Sequence, residues 1–438
     1  MLLNSLNVFD YLSERDFCHS LEQDKSKVEP LAAKNFNLLV TLSDKPNGQR
    51  GRHKGCDGAY KGRSNPPTTA PWKPTATRPG ERADRRKTTG DASASRASLR
   101  RKLLVKQERH NLEGKAAGEF RNEYRIQEWL QQFSLQKSLG SFLPELLHFD
   151  ASNSIIVFRY LDDYRDLMDF YVKESNFPTE ISRAIGTLLA TIHRDTYDRE
   201  EYQQFFENRE NSQAVNRVPQ LIKGLERIKP EIFAAIPADG LKFFALYQRY
   251  DSLGSAIAEL GNAYTPSSLT HNDLKLNNIL LHTDWQQTDD SIIRLIDWER
   301  CSWGDPAFDL GTLIASYIQI WLGSLVISKS LSIEESLSLA ITPLEQLQPS
   351  IAALTKAYLE TFPEILEHRP DFLQRVVQFA GFALIQQIQA MIQYQKSFGN
   401  TGIAMLQVAK SLLCRPERSM PTLFGRDVIE IVQLCTAT

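Results

Sequence analysis

Cysteine is scarce in this 438-residue chain, and what there is does not pair up. Cys18, Cys56, Cys301, Cys414 and Cys435 are odd in number, far apart and never spaced as C-x-x-C. That argues against a disulfide framework or a zinc site and points to a reducing cytoplasm. The N-terminal stretch MLLNSLNVFDYLSERDF lacks the basic start and continuous apolar run of a signal peptide, so secretion is not expected. One charge-free stretch could be mistaken for a membrane span, LGTLIASYIQIWLGSLVIS from Leu310 to Ser328. Thr312, Ser316, Gln319 and two glycines interrupt it, and it reads as a buried helix rather than a membrane span.

The largest deficit lies between Lys45 and Lys102, which contain no Ile, Val, Met or Phe and a single leucine, Leu99. Such a segment has too little apolar surface to offset its ordering entropy, and disorder is the expectation. It carries 16 Lys+Arg against 4 Asp+Glu, a net of +12, so that in a chain of net charge −2 the remainder is −14. A basic arm of this kind can contact nucleic acid. A solvated loop insertion is favoured instead, because only Tyr60 and Trp72 are available to stack on bases.

What is present is ordinary for a soluble globular protein: 42% hydrophobic and 24% charged residues, and length for two or three units with a sizeable core. NFNLLVTLS (Asn35 to Ser43) and LLVKQ (Leu103 to Gln107) flank the basic stretch as two arms of one hairpin. A helix follows, with Ile126, Trp129, Leu130 and Phe133 at helical spacing, and then a strand, SIIVFRYL. Beyond it the pattern is almost all helical, marked by Ile181, Ile185, Leu188, Leu189 and Ile192 and by Leu373, Val376, Val377, Ala380, Leu384, Ile388 and Met391. The expectation is an α+β fold in two lobes. Residues 1–158 form a small β-rich N-terminal lobe, interrupted by the basic insertion 45–102, and residues 159–438 a large helical lobe.

Within the helical part, HNDLKLNNILL places His271, Asp273 and Asn278 as H-x-D-x-x-x-x-N, and nineteen residues later an apolar strand ends on Asp297. Two carboxylates and an amide are oxygen ligands suited to Mg²⁺, which takes few protein carboxylates and completes its shell with phosphates. Phosphoryl transfer needs those ligands, a carboxylate for the acceptor hydroxyl and a cation on the nucleotide phosphates.

HNDLKLNNILL, LIDWE and GDPAFDLG together resemble the aminoglycoside phosphotransferase and choline kinase superfamily, relatives of the protein kinases that phosphorylate small molecules. The resemblance implies a two-lobed protein-kinase-like fold, with ATP as phosphoryl donor and Mg²⁺ as its cation. It implies Asp273 as catalytic base, Asn278 and Asp297 as metal ligands, and His271 and Asp309 as braces of the loop. Lys106 would grip the α- and β-phosphates with Glu123 as its helix partner, and Glu119, one turn earlier, is a rival for that role. Lys275 either neutralises charge on the transferred phosphoryl group or is a solvent-facing loop lysine.

Two departures stand out. The hairpin EPLAAKNFNLL, expected to cover the phosphates, has no glycine, and the triplets DFG and APE are missing where a protein kinase would carry them. Protein substrates are therefore disfavoured, and the expected acceptor is a small hydroxylated molecule. The alternatives are a catalytically silent nucleotide-binding regulator and, further off, a nucleic-acid-associated protein acting through the basic insertion. Asp162, Asp163, Asp166 and Asp169 in LDDYRDLMDFYVKE are expected near the cleft, where they would favour a cationic acceptor such as an amino alcohol or amino sugar.

Overall fold

The computed structural model describes residues 2–18, 26–31, 35–42, 101–110, 116–207, 216–226, 237–288, 291–326, 328 and 330–436. The basic insertion expected from Lys45 to Lys102 lies outside them except at its end, and there the boundary needs correcting. Lys102 opens a strand and pairs with Thr41, and the Leu42 N–H donates to the Arg101 carbonyl at 2.8 Å. Ladder hydrogen bonds thus hold both residues in the sheet, although neither side chain is apolar.

Five antiparallel strands build the small lobe: β1 (Lys27–Leu31), β2 (Phe36–Thr41), β3 (Lys102–Gln107), β4 (Leu146–Asp150) and β5 (Ile155–Arg159), in the order β1-β2-β3-β5-β4. The two arms flanking the basic stretch are β2 and β3, paired from Phe36 with Gln107 to Thr41 with Lys102. Because side chains alternate along a strand, β3 sends Leu103, Val105 and Gln107 to one face and Leu104 and Lys106 to the other. Helix α1 (Val8–Ser13) roofs the first face, where Val8, Tyr11 and Leu12 pack with Leu38, Val40, Leu103, Val105 and Val157. On the second face Phe120 of α2 (Glu119–Gln132) packs on Ile156 and Phe158. Lys106 shares that face, its ammonium 5.3 Å from the centre of the Phe158 ring.

The large lobe is mainly helical. Five short strands also interrupt it, of which the sequence foretold only the one before Asp297: β6 (Tyr164–Asp166), β7 (Ser268–Thr270), β8 (Ile279–His282), β9 (Ile293–Leu295) and β10 (Ser302–Gly304). At three or four residues each they are too short to show a period-two pattern. β6-β8-β9 form one ribbon and β7-β10 another, so that both ends of the loop 271–278 are pinned by strand pairing.

Four helices frame this loop and its surroundings: α3 (Leu167–Glu174), α4 (Thr179–Thr196), α5 (Pro306–Gly323) and the longer α6 (Phe372–Gln395). The apolar positions of α4 and most of those on α6 are buried as their spacing predicts. The charge-free run from Leu310 lies largely in α5, which packs on α6 so closely that a side chain at Gly311 would come within 2.7 Å of the Val376 carbonyl. Among the described residues no helix is long and apolar enough to cross a membrane.

Candidate active site

The loop between β7 and β8 is shaped by its own polar residues and by one buried carboxylate. Asp309, in the first turn of α5, is fully buried and accepts the backbone N–H groups of His271 at 2.6 Å and of Asn272 at 2.9 Å. Asn272 takes a left-handed conformation, φ 61°, which its short polar side chain tolerates. The Asn272 side chain ties the turn to Arg300 O at 3.1 Å and to Ser302 Oγ at 2.8 Å. His271 lies against the Trp298 ring, its Nε2 is 2.9 Å from the Ile296 carbonyl, and its Nδ1 accepts the Asp273 N–H at 3.3 Å. A carbonyl can only accept, so the proton of this imidazole sits on Nε2. His271 and Asp309 thus both contact the backbone of the loop.

Asp273 is held from three sides. Arg300 donates to Oδ1 at 3.2 Å, Lys275 to Oδ2 at 3.2 Å, and the Asn278 amide to the Asp273 carbonyl at 2.8 Å. The Lys275 side chain is 47% exposed, so its cation is free to turn toward a bound anion.

Lys106 meets this loop from the other lobe. Its ammonium donates to Asp297 Oδ1 and lies 3.9 Å from Glu123 Oε1. Burial opposes the charge on Lys106, yet Glu123 and Asp297 together lift its pKa above the usual lysine value. Burial likewise opposes the charge on Asp297, but Lys106 pulls that carboxyl below its usual range. Glu123 is buried beside both carboxylates of the 297–299 stretch, and burial raises its pKa to about 7 against the pull of Lys106. The rival, Glu119, turns away: its backbone N–H donates to Glu108 at 2.6 Å and its carboxylate faces Arg217 at 3.8 Å. Asn122 ties α2 to the far side of Asp297 by donating to Glu299 O at 3.0 Å and Cys301 O at 2.8 Å.

A loop that pins a carboxylate under two cations, facing a buried lysine on a five-stranded sheet, is an arrangement for handling phosphates. The profile of the phosphotransferase enzyme family, APH, matches residues 85–329, more than half of the chain. The chain belongs to this family. A 4-hydroxytryptamine kinase of Psilocybe cyanescens is 26% identical over 179 residues, covering 39% of this chain and 45% of its own length. The chain thus spans less than half of that curated relative. Among solved structures, an ethanolamine kinase of Plasmodium vivax aligns over 96% of this chain and 92% of its own at 14% identity and a TM-score of 0.49. A glucosamine kinase in complex with glucosamine, ADP and inorganic phosphate aligns over 73% and 79% at 14% identity and a TM-score of 0.43.

In this family member the site opens into a cleft of about 940 Å³. Lys106, Asp273, Lys275, Asn278 and Asp297 all line it. Asp297, at φ 62°, keeps 38% of its side chain exposed, and no described residue hydrogen-bonds the Asn278 Oδ1. These two oxygens suit a hard divalent cation. Among the described residues no group of three His, Cys, Asp or Glu side chains that could hold a metal ion is present.

The four carboxylates expected near the cleft do not line it. Asp162 pairs with Lys102, Asp169 with Lys173 at 2.8 Å, and Asp166 caps α3 by accepting the Asp169 N–H at 2.7 Å. Asp at a helix start satisfies an otherwise unpaired N–H, and that local demand explains Asp166. Two further participants are not among the residues the motifs single out. Arg300 stands three residues after Asp297 in LIDWER, where it was legible. His193, fully buried on α4, is 3.4 Å from Asp309 and 2.8 Å from the Tyr358 hydroxyl. Its only signal was a histidine one turn after the buried Leu189.

Proposed function

We propose that the chain transfers the γ-phosphoryl group of ATP to a hydroxyl of a small molecule. The observation that carries this reading is that one cleft is lined by Asp273, Asn278 and Asp297 from the large lobe and by Lys106 from the small one. Lys106, braced by Glu123 and Asp297, grips the donor phosphates. Asp297 and Asn278 hold Mg²⁺, which when bound neutralises charge on the phosphate oxygens. Asp273 accepts the proton of the acceptor hydroxyl as its oxygen bonds to the γ-phosphorus. The bond from that phosphorus to the bridging oxygen breaks, and ADP leaves with the electron pair. Lys275 and Arg300 orient Asp273, and Lys275 swings toward the transferred group to offset its charge. His271 and Asp309 keep the loop in register.

The acceptor is a hydroxylated small molecule. The preference for an amino alcohol or amino sugar loses its support with the displacement of the Asp162 to Asp169 cluster from the cleft. No disulfide joins the four described cysteines to one another, in keeping with a reducing, cytoplasmic setting. Acceptor-stimulated ADP release from Mg-ATP, measured across hydroxylated amines, sugars and amino acids, tests the proposal. Tight Mg-ATP binding with no stimulation by any acceptor would instead identify a silent nucleotide-binding regulator.

A further inference from the structure

We propose that the acceptor is a neutral, hydroxyl-rich molecule of the polyol or sugar class, held by a stripe of amides and hydroxyls on α5 and α6. This rests on the kinase reading of the same cleft. Its charged lining residues all come from the stretch 106–119 at the end of β3 and the start of α2, from Arg217, and from the stretch 273–300 around the loop. The opposite wall, made by α5 and α6, carries no charged side chain.

That wall is polar all the same. Thr312, Ser316 and Gln319 follow at i, i+4 and i+7 on α5, and Gln386, Gln389 and Gln393 at i, i+3 and i+7 on α6, so each set lies on one helical face. The close approach at Gly311 sets the two helices side by side. Thr312 and Ser316 spend their hydroxyl protons on backbone carbonyls one turn back, at 2.9 and 3.2 Å, which leaves their oxygens as acceptors. The side chains of the three α6 glutamines and of Gln319 hydrogen-bond no other described residue.

Such a surface matches hydroxyl groups, which both donate and accept, as amides do. It offers an ammonium no carboxylate and only the separate rings of Phe308 and Tyr394, and it offers a carboxylate or phosphate no cation. A charged acceptor pressed against it would lose solvation without a counter-charge. A neutral polyol would exchange its water bonds for amide bonds at little cost.

The matched pair glucose and glucosamine, extended to glycerol and inositol against ethanolamine and choline, tests the class through acceptor-stimulated ADP release. Neutral compounds should be turned over with the higher kcat/KM. Replacing Gln386 and Gln389 together by leucine should raise the acceptor KM roughly tenfold or more, at two- to tenfold per neutral hydrogen bond, and leave the KM for ATP and the slow acceptor-free ADP release unchanged. Gln386→Glu keeps the shape while adding a carboxylate, and should move preference toward glucosamine. The proposal is overturned if the ammonium compounds are the better substrates of the unaltered chain, or if both variants leave acceptor kinetics within twofold. It also falls if Mg-ATP binds and no neutral compound accelerates ADP release while an ammonium compound does, and the kinase reading then stands. Failure to bind Mg-ATP at all would sink both.

Discussion

The Asn278 side chain donates to the main-chain carbonyl of Asp273 across a gap of 2.8 Å, so the two ends of the loop are fastened to each other. One consequence is that the amide oxygen of Asn278 is turned outward and the Asp273 carboxylate is presented by a closed, rigid ring. Replacing Asp273 by alanine should leave this fastening intact, because the carbonyl that accepts the bond belongs to the main chain. Mg-ATP binding should persist while turnover drops by roughly two to four orders of magnitude, the usual loss for a positioned base. Turnover within a factor of two of the parent chain would remove Asp273 from the chemistry.

Asp297 is asked to do two things, to pair with Lys106 and to offer an oxygen to a cation. Asp297→Ala should therefore abolish the Mg²⁺ dependence of nucleotide binding, since the neutral Asn278 oxygen alone cannot balance a divalent charge. Isothermal calorimetry with ADP, with and without Mg²⁺, measures this directly. Equal metal dependence in both proteins would reduce Asp297 to a structural partner of Lys106.

Glu123 should make stability depend on pH in an unusual direction. In the folded chain burial holds its proton up to about pH 7, whereas an unfolded glutamate loses it near 4.5. Between those values the native state binds more protons than the unfolded one, so this residue's contribution to stability falls as pH rises through the window. Glu123→Gln removes the titration, and its stability relative to the parent should improve from about pH 4.5 to about pH 7 and then level off. Urea unfolding at stepped pH reads the difference; a constant offset would mean that Glu123 remains ionised beside Lys106 throughout.

The start of α5 rests on a buried ion pair. Arg369 donates to Asp305 at 2.6 Å, and Asp305 also accepts the backbone N–H groups of Thr265 and Ala307 at 2.9 and 3.0 Å. Burial pushes the Asp305 carboxyl up, with Arg369 opposing. Arg369→Met would leave a carboxylate in the interior without its cation and should cost roughly 3–5 kcal/mol. Adding Asp305→Asn should recover part of that loss in chemical denaturation. An Arg369→Met chain as stable as its parent would show that the backbone N–H groups alone suffice.

Deleting residues 45–99 and joining β2 to β3 through a short glycine-containing turn should keep cooperative unfolding at equal or higher stability. The hairpin ladder already closes at Leu42 and Arg101, and the deleted composition offers no core. Loss of a cooperative transition would mean that the segment folds against the rest.

The sequence alone determined whatever depends on neighbours within a few positions or on a simple period. The H-x-D-x-x-x-x-N spacing put Asp273 and Asn278 in one loop because so few residues separate them, and alternation along β3 turned Lys106 away from the α1 face. Two apolar arms were recognisable as one hairpin across the intervening residues, because strand pairing depends on pattern rather than on loop length. Tertiary structure decided what depends on which way an element is turned. Glu119 and Glu123 are one helical turn apart and chemically alike, and only the docking of α2 on the sheet gave Lys106 to the second. The Asp162 to Asp169 carboxylates looked like a field at the cleft, but Asp166 caps a helix and Asp162 and Asp169 pair with Lys102 and Lys173. His193 reached Asp309 from a distant part of the chain, and the amide stripe on α6 faced the cleft, only because close packing at Gly311 and along α4 fixed those helices in space; no local rule of sequence encodes that packing.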